Sequence, residues 1–268
     1  MTTNEVEIVI SDNFSSDNTK DVAGKYVELH PGKIKYHKNA SNIHDKNFEA
    51  VFRLASGDFL KFNNDNLIFK AGAMAKMLNA IKSEMPEKPV LFFLNGNTTV
   101  IDDATLCSNL NEFVSHCSYI STWGGAFGIW KTDFLSINDF SSLSHLKLVQ
   151  TDILLRLMAT GKKTKVYNRP FFDGINVGRK GGYNIAEVFG KNYLYILNIH
   201  RRNGQLADAV YAQEKKLILL NHIIPFYFTA DHDFQKGNFF ENLSEYKEET
   251  YFYEAIESMI FQNFAFKR

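Results

Sequence analysis

Residues 6–19 read Val-Glu-Ile-Val-Ile-Ser-Asp-Asn-Phe-Ser-Ser-Asp-Asn-Thr. The first half is a short β-branched run; the second is a crowd of hydroxyl, amide and carboxylate side chains. The run suits an extended strand at Glu7–Ile10. The crowd offers the oxygen atoms that satisfy free amides at a helix start, which predicts a helix from Asp17 to about Leu29. Pro31-Gly32 breaks that helix. Working outward, Ile34–His37 is a second strand, and Phe48, Val51, Phe52 and Ala55 repeat at the spacing of one helix face. Ser56-Gly57 stops that helix. Asp58–Phe62 is a third strand ending in Asn63-Asn64-Asp65-Asn66, the spacing turns helical from Leu67 to about Ile81, and Pro89–Leu94 is a fourth strand. Alternating strands and helices of this kind build an α/β fold, a mostly parallel sheet with flanking helices.

Past Asn95 the signals thin. Weak strand patterns lie at Thr98–Ile101 and at Tyr119–Trp130, where Gly124, Gly125 and Gly128 loosen the backbone. A helix is predicted from Leu148 to Thr160, and Lys165–Asn168 reads as a last strand. After Gly181-Gly182 three amphipathic helices follow, marked by Ile185, Val188, Phe189, Tyr193, Ile196 and Leu197, then by Leu206, Val210, Tyr211, Leu217 and Ile218, then by Leu243, Tyr246, Tyr253, Ile256 and Ile260. The expected division is an α/β domain over 1–182 and a helical C-terminal extension over 183–268.

Composition narrows the function. The 30 Lys and Arg residues balance the 30 Asp and Glu residues, so the chain has no global field to gather nucleic acid. Two cysteines, Cys107 and Cys117, are too few for a disulfide framework or a thiolate zinc site. No apolar run approaches the ~20 residues needed to span a bilayer, and the first residues do not read as a leader. These features predict a cytoplasmic protein.

In open α/β sheets ligands bind beyond the carboxyl ends of strands. Three polar clusters fall there: Ser11 to Thr19, Lys38-Asn39 with Asn42, and Asn63 to Asn66. Turn and cap chemistry explains each cluster alone; their recurrence after successive strands favours a site. Residues 6–19 resemble the second-strand motif of family 2 glycosyltransferases, a strand ending in Asp-Asp or Asp-Asn followed by Ser-x-Asp-x-Thr. Asn39 and Asn47, and then Ala55-Ser56-Gly57-Asp58-Phe59-Leu60, resemble the next two blocks. Lys180-Gly181-Gly182-Tyr183-Asn184, with Val188-Phe189 and Asn192-Tyr193-Leu194, is similar to capsule and lipopolysaccharide sugar transferases.

The resemblance implies a GT-A fold and a set of roles. Asp12 and Asn13, with Lys38 and Asn39, would bind the nucleotide base and ribose, and Asn64 and Asp65 the rest of a nucleotide-diphosphate sugar. Asn64-Asp65-Asn66 stands where relatives hold a divalent cation, Mn2+ or Mg2+, with Asp65 and Asn66 as ligands. Only one of the three is a carboxylate, and a hard cation prefers anionic oxygen, so a polar turn without metal is the competing reading. Trp123, Gly124 and Gly125 resemble the segment under the transferred sugar and acceptor. Asp152 resembles the base of an inverting transfer, although an acid there also complements a helix dipole.

Relatives carry a strand and helix ahead of this block, so the resemblance implies a chain that lacks its first strand, with a sheet edge left for a partner chain or a second copy to cover. Two functions follow. One is transfer of a sugar to a glycan or lipid-linked acceptor in surface polysaccharide synthesis, with peripheral contact to the inner membrane face through Lys162, Lys163, Lys165, Arg169, Arg179 and Lys180; those charges read equally as a solvated face. The other is a non-catalytic protein that keeps nucleotide-sugar binding. Asp231-His232-Asp233 reads as a solvated loop, because adjacent side chains diverge too far for one metal, and no dinucleotide or phosphate-loop fingerprint is present.

Overall fold

The computed structural model describes residues 5–98, 103–175, 182–228 and 235–265. It begins as the sequence predicts. Strand β1 (Ile8–Asp12) leads through helix α1 (Thr19–Leu29) to β2 (Ile34–Lys38), and β1 and β2 pair in parallel with Asp12 opposite Lys38. Helix α2 (Asn47–Leu54) then brings the chain to β3 (Phe59–Lys61). The end of α2 is held by Lys131, whose Nζ donates to the carbonyls of Phe52 and Ala55 at 3.2 and 2.6 Å, a cation at the negative end of a helix.

The expected helix from Leu67 is corrected. Leu67–Phe69 is a strand, β4, and the helix α3 begins only at Ala73 and runs to Ser83. Between them Gly72 takes φ 72°, a conformation glycine adopts without strain. The reason lies far along the chain: β4 pairs antiparallel with Phe172–Gly174, so Lys70 N–H reaches Phe171 O and Ile175 N–H reaches Asn66 O. Local spacing carries no trace of such a partner.

Strand β5 (Val90–Phe93) is buried at every position, as a strand covered on both faces must be. Then come β6 (Ala104–Cys107) and α4 (Leu110–Cys117), neither of them predicted. Helix α4 starts on Asn109, which accepts from Glu112 N–H, while Glu112 reaches back to Ser108 N–H, a reciprocal cap written plainly in the sequence. The Thr98–Ile101 signal lies mostly outside the described residues. Within Tyr119–Trp130 only Gly128–Trp130 is a strand, β7; tight turns over Ser118–Thr122 and Gly124–Ala126 precede it. Helix α5 (Lys131–Ser136), α6 (Val149–Ala159), β8 (Thr164–Tyr167) and β9 (Phe172–Gly174) complete this part.

Two aromatic-rich cores sandwich the sheet. Strand β3 pairs antiparallel with β7, a bridge from Phe127 to Phe92 joins β7 to β5, and β5 runs parallel to β8, which pairs antiparallel with β6. Alternation sorts the side chains. Val90, Phe92 and Leu94 face one core, and Leu91 and Phe93 face the other with Met77 of α3.

Beyond residue 182, Asn184 caps a π-helix (Ala186–Tyr193) by accepting from Ala186 and Glu187 N–H. This segment runs into α7 (Leu194–Arg202), and α8 (Asp208–Ile218), α9 (Ile224–Phe228), α10 (Phe239–Asn242) and α11 (Thr250–Ala265) follow. Their buried residues, Ile196, Ile218 and Phe252 among them, and Tyr246 in the turn before α11, belong to the same core as Phe92 and Leu154. Packing is tight here: a Cβ on Gly190 would run into the Leu243 side chain. Among the described residues no helix is long and apolar enough to cross a membrane.

Candidate functional site

Parallel pairing sets Asp12 opposite Lys38 at the carboxyl end of the β1–β2 pair, and Asn39 N–H continues it onto Asp12 O at 2.9 Å. Asp12 is 4% exposed. Its two oxygens accept from Tyr36 Oη at 2.6 Å and Ser15 N–H at 2.7 Å. The Tyr36 hydroxyl above all, with Ser15 and the Lys38 charge, holds its carboxyl down at about 2 against the opposing cost of burial. The loop closes on Asp12 because Phe14 takes φ 69°, a left-handed conformation that costs a bulky residue about 1 kcal/mol or more. Lys38 Nζ donates to Ser15 O at 2.6 Å and lies over the exposed Phe14 ring at 5.6 Å.

Asn13 and Asn39 are fixed by their neighbours. Asn13 Oδ1 accepts from Ile43 N–H at 2.8 Å, and Asn39 Nδ2 donates to Asn47 Oδ1 at 2.9 Å, with Ser11 Oγ on the same oxygen at 2.6 Å. Asn47 opens α2, and the next residue, Phe48, stacks on Phe62 at 3.8 Å. Phe62 leads into the Asn63–Asn66 turn, where Leu67 N–H returns to Asn64 O at 3.2 Å. A Cβ on Gly124 would meet Phe48 Cζ at 3.3 Å and Asn64 Oδ1 at 3.7 Å, and one on Gly125 would strike Leu67 Cδ1 at 2.5 Å. Contacts thus run unbroken from Asp12 through Asn47 and Phe48 to Asn64 and the Trp123–Gly125 segment. Only glycine allows the last approach.

Asn64 Oδ1 is buried without a hydrogen-bond partner, Asp65 is exposed, and the Asn66 carbonyl is taken by Ile175 N–H. One carboxylate between two amides does not make a preformed site for a hard cation such as Mn2+ or Mg2+. Among the described residues no three His, Cys, Asp or Glu side chains converge to hold a metal. Asp231-His232-Asp233 and Arg179-Lys180 lie outside the described residues.

Asp152 does not join this group. It is 3% exposed, and its carboxylate turns to Arg156 Nη2 at 3.1 Å, one turn on along α6, while Arg156 Nη1 binds Asp139 at 2.6 Å. Burial, only partly offset by Arg156, pushes its carboxyl up to about 6. The side chain on α6 that reaches the glycine segment is Gln150, whose Nε2 donates to Thr122 O at 2.6 Å. Two residues are ~200° apart on a helix, so Gln150 and Asp152 face opposite ways. Both are buried; Gln150 bonds the carbonyl just before Trp123, and Asp152 is turned to Arg156. Helical phase within Val149-Gln150-Thr151-Asp152 was the signal that separates them.

Sequence reasoning also missed Lys61. Its Nζ donates to Phe62 O at 2.5 Å and Gly125 O at 2.6 Å and lies 5.2 Å from the Phe172 ring centre. Burial alone brings its amine down to about 7.

Tyr36→Phe tests the Asp12 lock. A carboxyl whose folded pKa is depressed adds stability above its unfolded pKa near 4 and loses it as pH falls through about 2. Without the hydroxyl that window narrows, so the variant loses less additional stability than the native chain between those limits, as acid unfolding followed by circular dichroism would show. Equal slopes would deny the lock.

The family described as glycosyl transferase family 2 matches residues 1–102. No curated protein matches. Among solved structures, S. aureus TarS 1–349 in complex with UDP is 14% identical with a TM-score of 0.56, covering 83% of this chain and 64% of that one. The same fragment in complex with UDP-GlcNAc is 15% identical with a TM-score of 0.55, covering 95% of this chain and 70% of that one. S. aureus TarS itself is 13% identical with a TM-score of 0.58, covering 86% of this chain and 41% of that one. The chain therefore spans less than two thirds of the first of these. At such identities the likeness establishes the fold, a GT-A-like α/β arrangement.

Proposed function

We propose that the chain binds a nucleotide-diphosphate sugar along the face running from Asp12 to Asn64 and acts as a glycosyltransferase toward a glycan or lipid-linked acceptor. The observation that carries this is the contact path itself. The polar ends of β1, β2 and β3 meet the Trp123–Gly125 segment on one side of α2, and the family likeness covers the same strands. On this reading Asp12, Asn13, Lys38 and Asn39 lie toward the nucleoside, Asn64 and Asp65 toward the diphosphate, and Trp123, Gly124 and Gly125 toward the transferred sugar. Residues 1–182 form the donor unit, and 183–268 an extension packed into its core. A uridine nucleotide is the first candidate, since two of the similar structures hold UDP or UDP-GlcNAc. Surface polysaccharide synthesis, an inverting course, a cytoplasmic location with peripheral membrane contact, and self-association belong to the same proposal.

A second reading is donor binding without transfer. Gln150 favours it, because the group beside the glycine segment is a neutral amide that cannot take a proton from an acceptor hydroxyl at neutral pH. UDP release from UDP-GlcNAc, with and without acceptor glycans, separates the two. If release occurs, Asp152→Asn is expected to keep its rate within roughly threefold, because an enclosed carboxylate has no route to the acceptor. A loss on the order of 10²-fold, the scale of a missing general base, would return that role to Asp152. No thermal stabilisation by any uridine, guanosine or thymidine diphosphosugar would remove both readings.

A further inference from the structure

We propose that Lys61, half-buried behind the Asn63–Asn66 turn, supplies the positive charge that a donor diphosphate needs at this site, so that donor binding does not require a divalent cation. The proposal rests on the donor-site reading above.

Strand alternation places Leu60 in one core and sends Phe59 and Lys61 to the other face, among Phe93 and Phe172. A half-buried lysine there loses part of its hydration, which hydrogen bonds or a counter-charge must replace. Lys61 has the hydrogen bonds. Its two acceptors are the carbonyls of Phe62, at the mouth of the Asn63–Asn66 turn, and of Gly125, in the segment beneath the proposed sugar. They use two of its three N–H groups. Among the described residues no counter-charge pairs with it. On β9, Asp173 pairs with Lys70 at 2.7 Å. Asp65 in the turn is exposed, and neither β4, β5 nor the Gly124–Ala126 turn carries a charged residue. Burial is accordingly the sole cause of its lowered pKa.

This unbalanced cation sits where the chain otherwise offers a single carboxylate between two amides. A metal would need more anionic oxygen than the turn provides; a diphosphate would need a cation, and Lys61 is one already in place behind the turn. In a medium of low effective dielectric that charge acts over several ångströms without touching the phosphate. Lys61 is thus a positioning and charge-balancing residue, linking the turn to the glycine segment and lowering the cost of bringing an anion between them. Binding of an anion should in turn favour the protonated amine, so donor affinity is linked to proton uptake.

The test is calorimetric titration of UDP into the full chain with EDTA present, at about pH 6.5 and about pH 8.5, in two buffers of different ionisation enthalpy. Lys61→Gln and Lys61→Met are run beside the native chain, with circular dichroism to verify folding. The native chain should bind UDP in EDTA, change affinity less than about threefold when Mn2+ is added, bind roughly tenfold more weakly at the higher pH, and take up a fraction of a proton there. Lys61→Gln, which keeps an amide donor but no charge, should bind about tenfold more weakly at the lower pH and lose both the pH dependence and the proton uptake. Lys61→Met should match it, or fail to fold while Lys61→Gln still decides. Binding that vanishes in EDTA and returns with Mn2+ would overturn the Lys61 assignment and leave the donor site standing. Native affinity and pH profile in Lys61→Gln would do the same. Absence of UDP binding with or without Mn2+ would overturn the assignment together with its premise.

Discussion

Glu214→Gln is expected to melt above the native chain at pH 8 and level with it near pH 4. Glu214 lies on α8, 2% exposed, with one carboxyl oxygen unpartnered. Burial, opposed only by Ser118 and Tyr193, pushes its carboxyl up to about 7. The folded state therefore holds this proton more tightly than the unfolded chain, whose glutamate titrates near 4.5. Stability from the neutral form is fully present below that value and is lost as pH rises through 7. The loss is about 3 kcal/mol at most, by the free energy attached to a pKa difference of this size. Glutamine is neutral throughout and keeps nearly the same shape, so it escapes that loss. A gain of about 2 kcal/mol at pH 8 would appear as roughly 4–8 °C in a chain of this length. Asp152 titrates in the same direction, from 3.8 up to about 6, so some decline between those values remains in the Glu214 variant. Melting curves at both pH values check the prediction; a variant less stable than the native chain at pH 8 would mean that Glu214 works as a charged partner.

The second large effect is expected at Gly125. A Cβ there would lie 2.5 Å from Leu67 Cδ1 and 2.8 Å from Trp123 Cε2. The leucine methyl can swing aside, but the indole is rigid and packs edge-on to Phe172 at 6.1 Å. Gly125→Ala should therefore cost about 1–3 kcal/mol, the usual cost of overpacking, and Gly125→Val more. Its effect should reach binding as well as folding, because the displaced segment carries the carbonyl that holds Lys61. UDP affinity is expected to fall at least tenfold, about 1.4 kcal/mol. Denaturant titration and calorimetry on the same samples measure both. Native affinity in a destabilised variant would show that the glycine segment packs the fold without shaping the site.

The sequence made the front of the molecule readable because its signals there are local and agree with one another. Strand runs, cap-forming residues and Pro31-Gly32 mark β1, α1 and β2 within a residue or two, and α2 shows its buried face in the spacing of Phe48 and Phe52. Helix α4 was as readable, since Asn109 and Glu112 form a reciprocal cap, yet its strand-like flanks hid it. Strand β4 was not readable, because it pairs with β9, more than a hundred residues away. The site divides in the same way. Asp12 follows from its place at a strand end. The choice between Gln150 and Asp152 turns on helix phase, which a motif search that favours acids passes over. Lys61 stands among Phe59, Leu60 and Phe62, and a charge inside an apolar strand was the available clue.

On the proposed function, the Asp12 loop and the Asn63–Asn66 turn share one donor. Hydrogen–deuterium exchange of the full chain with saturating UDP tests it most directly. Slowed exchange is expected in residues 11–16, 38–44, 62–67 and 122–126 together, with little change in α8 or α11. Protection confined to one of those segments, or appearing only among the helices after residue 182, would contradict it.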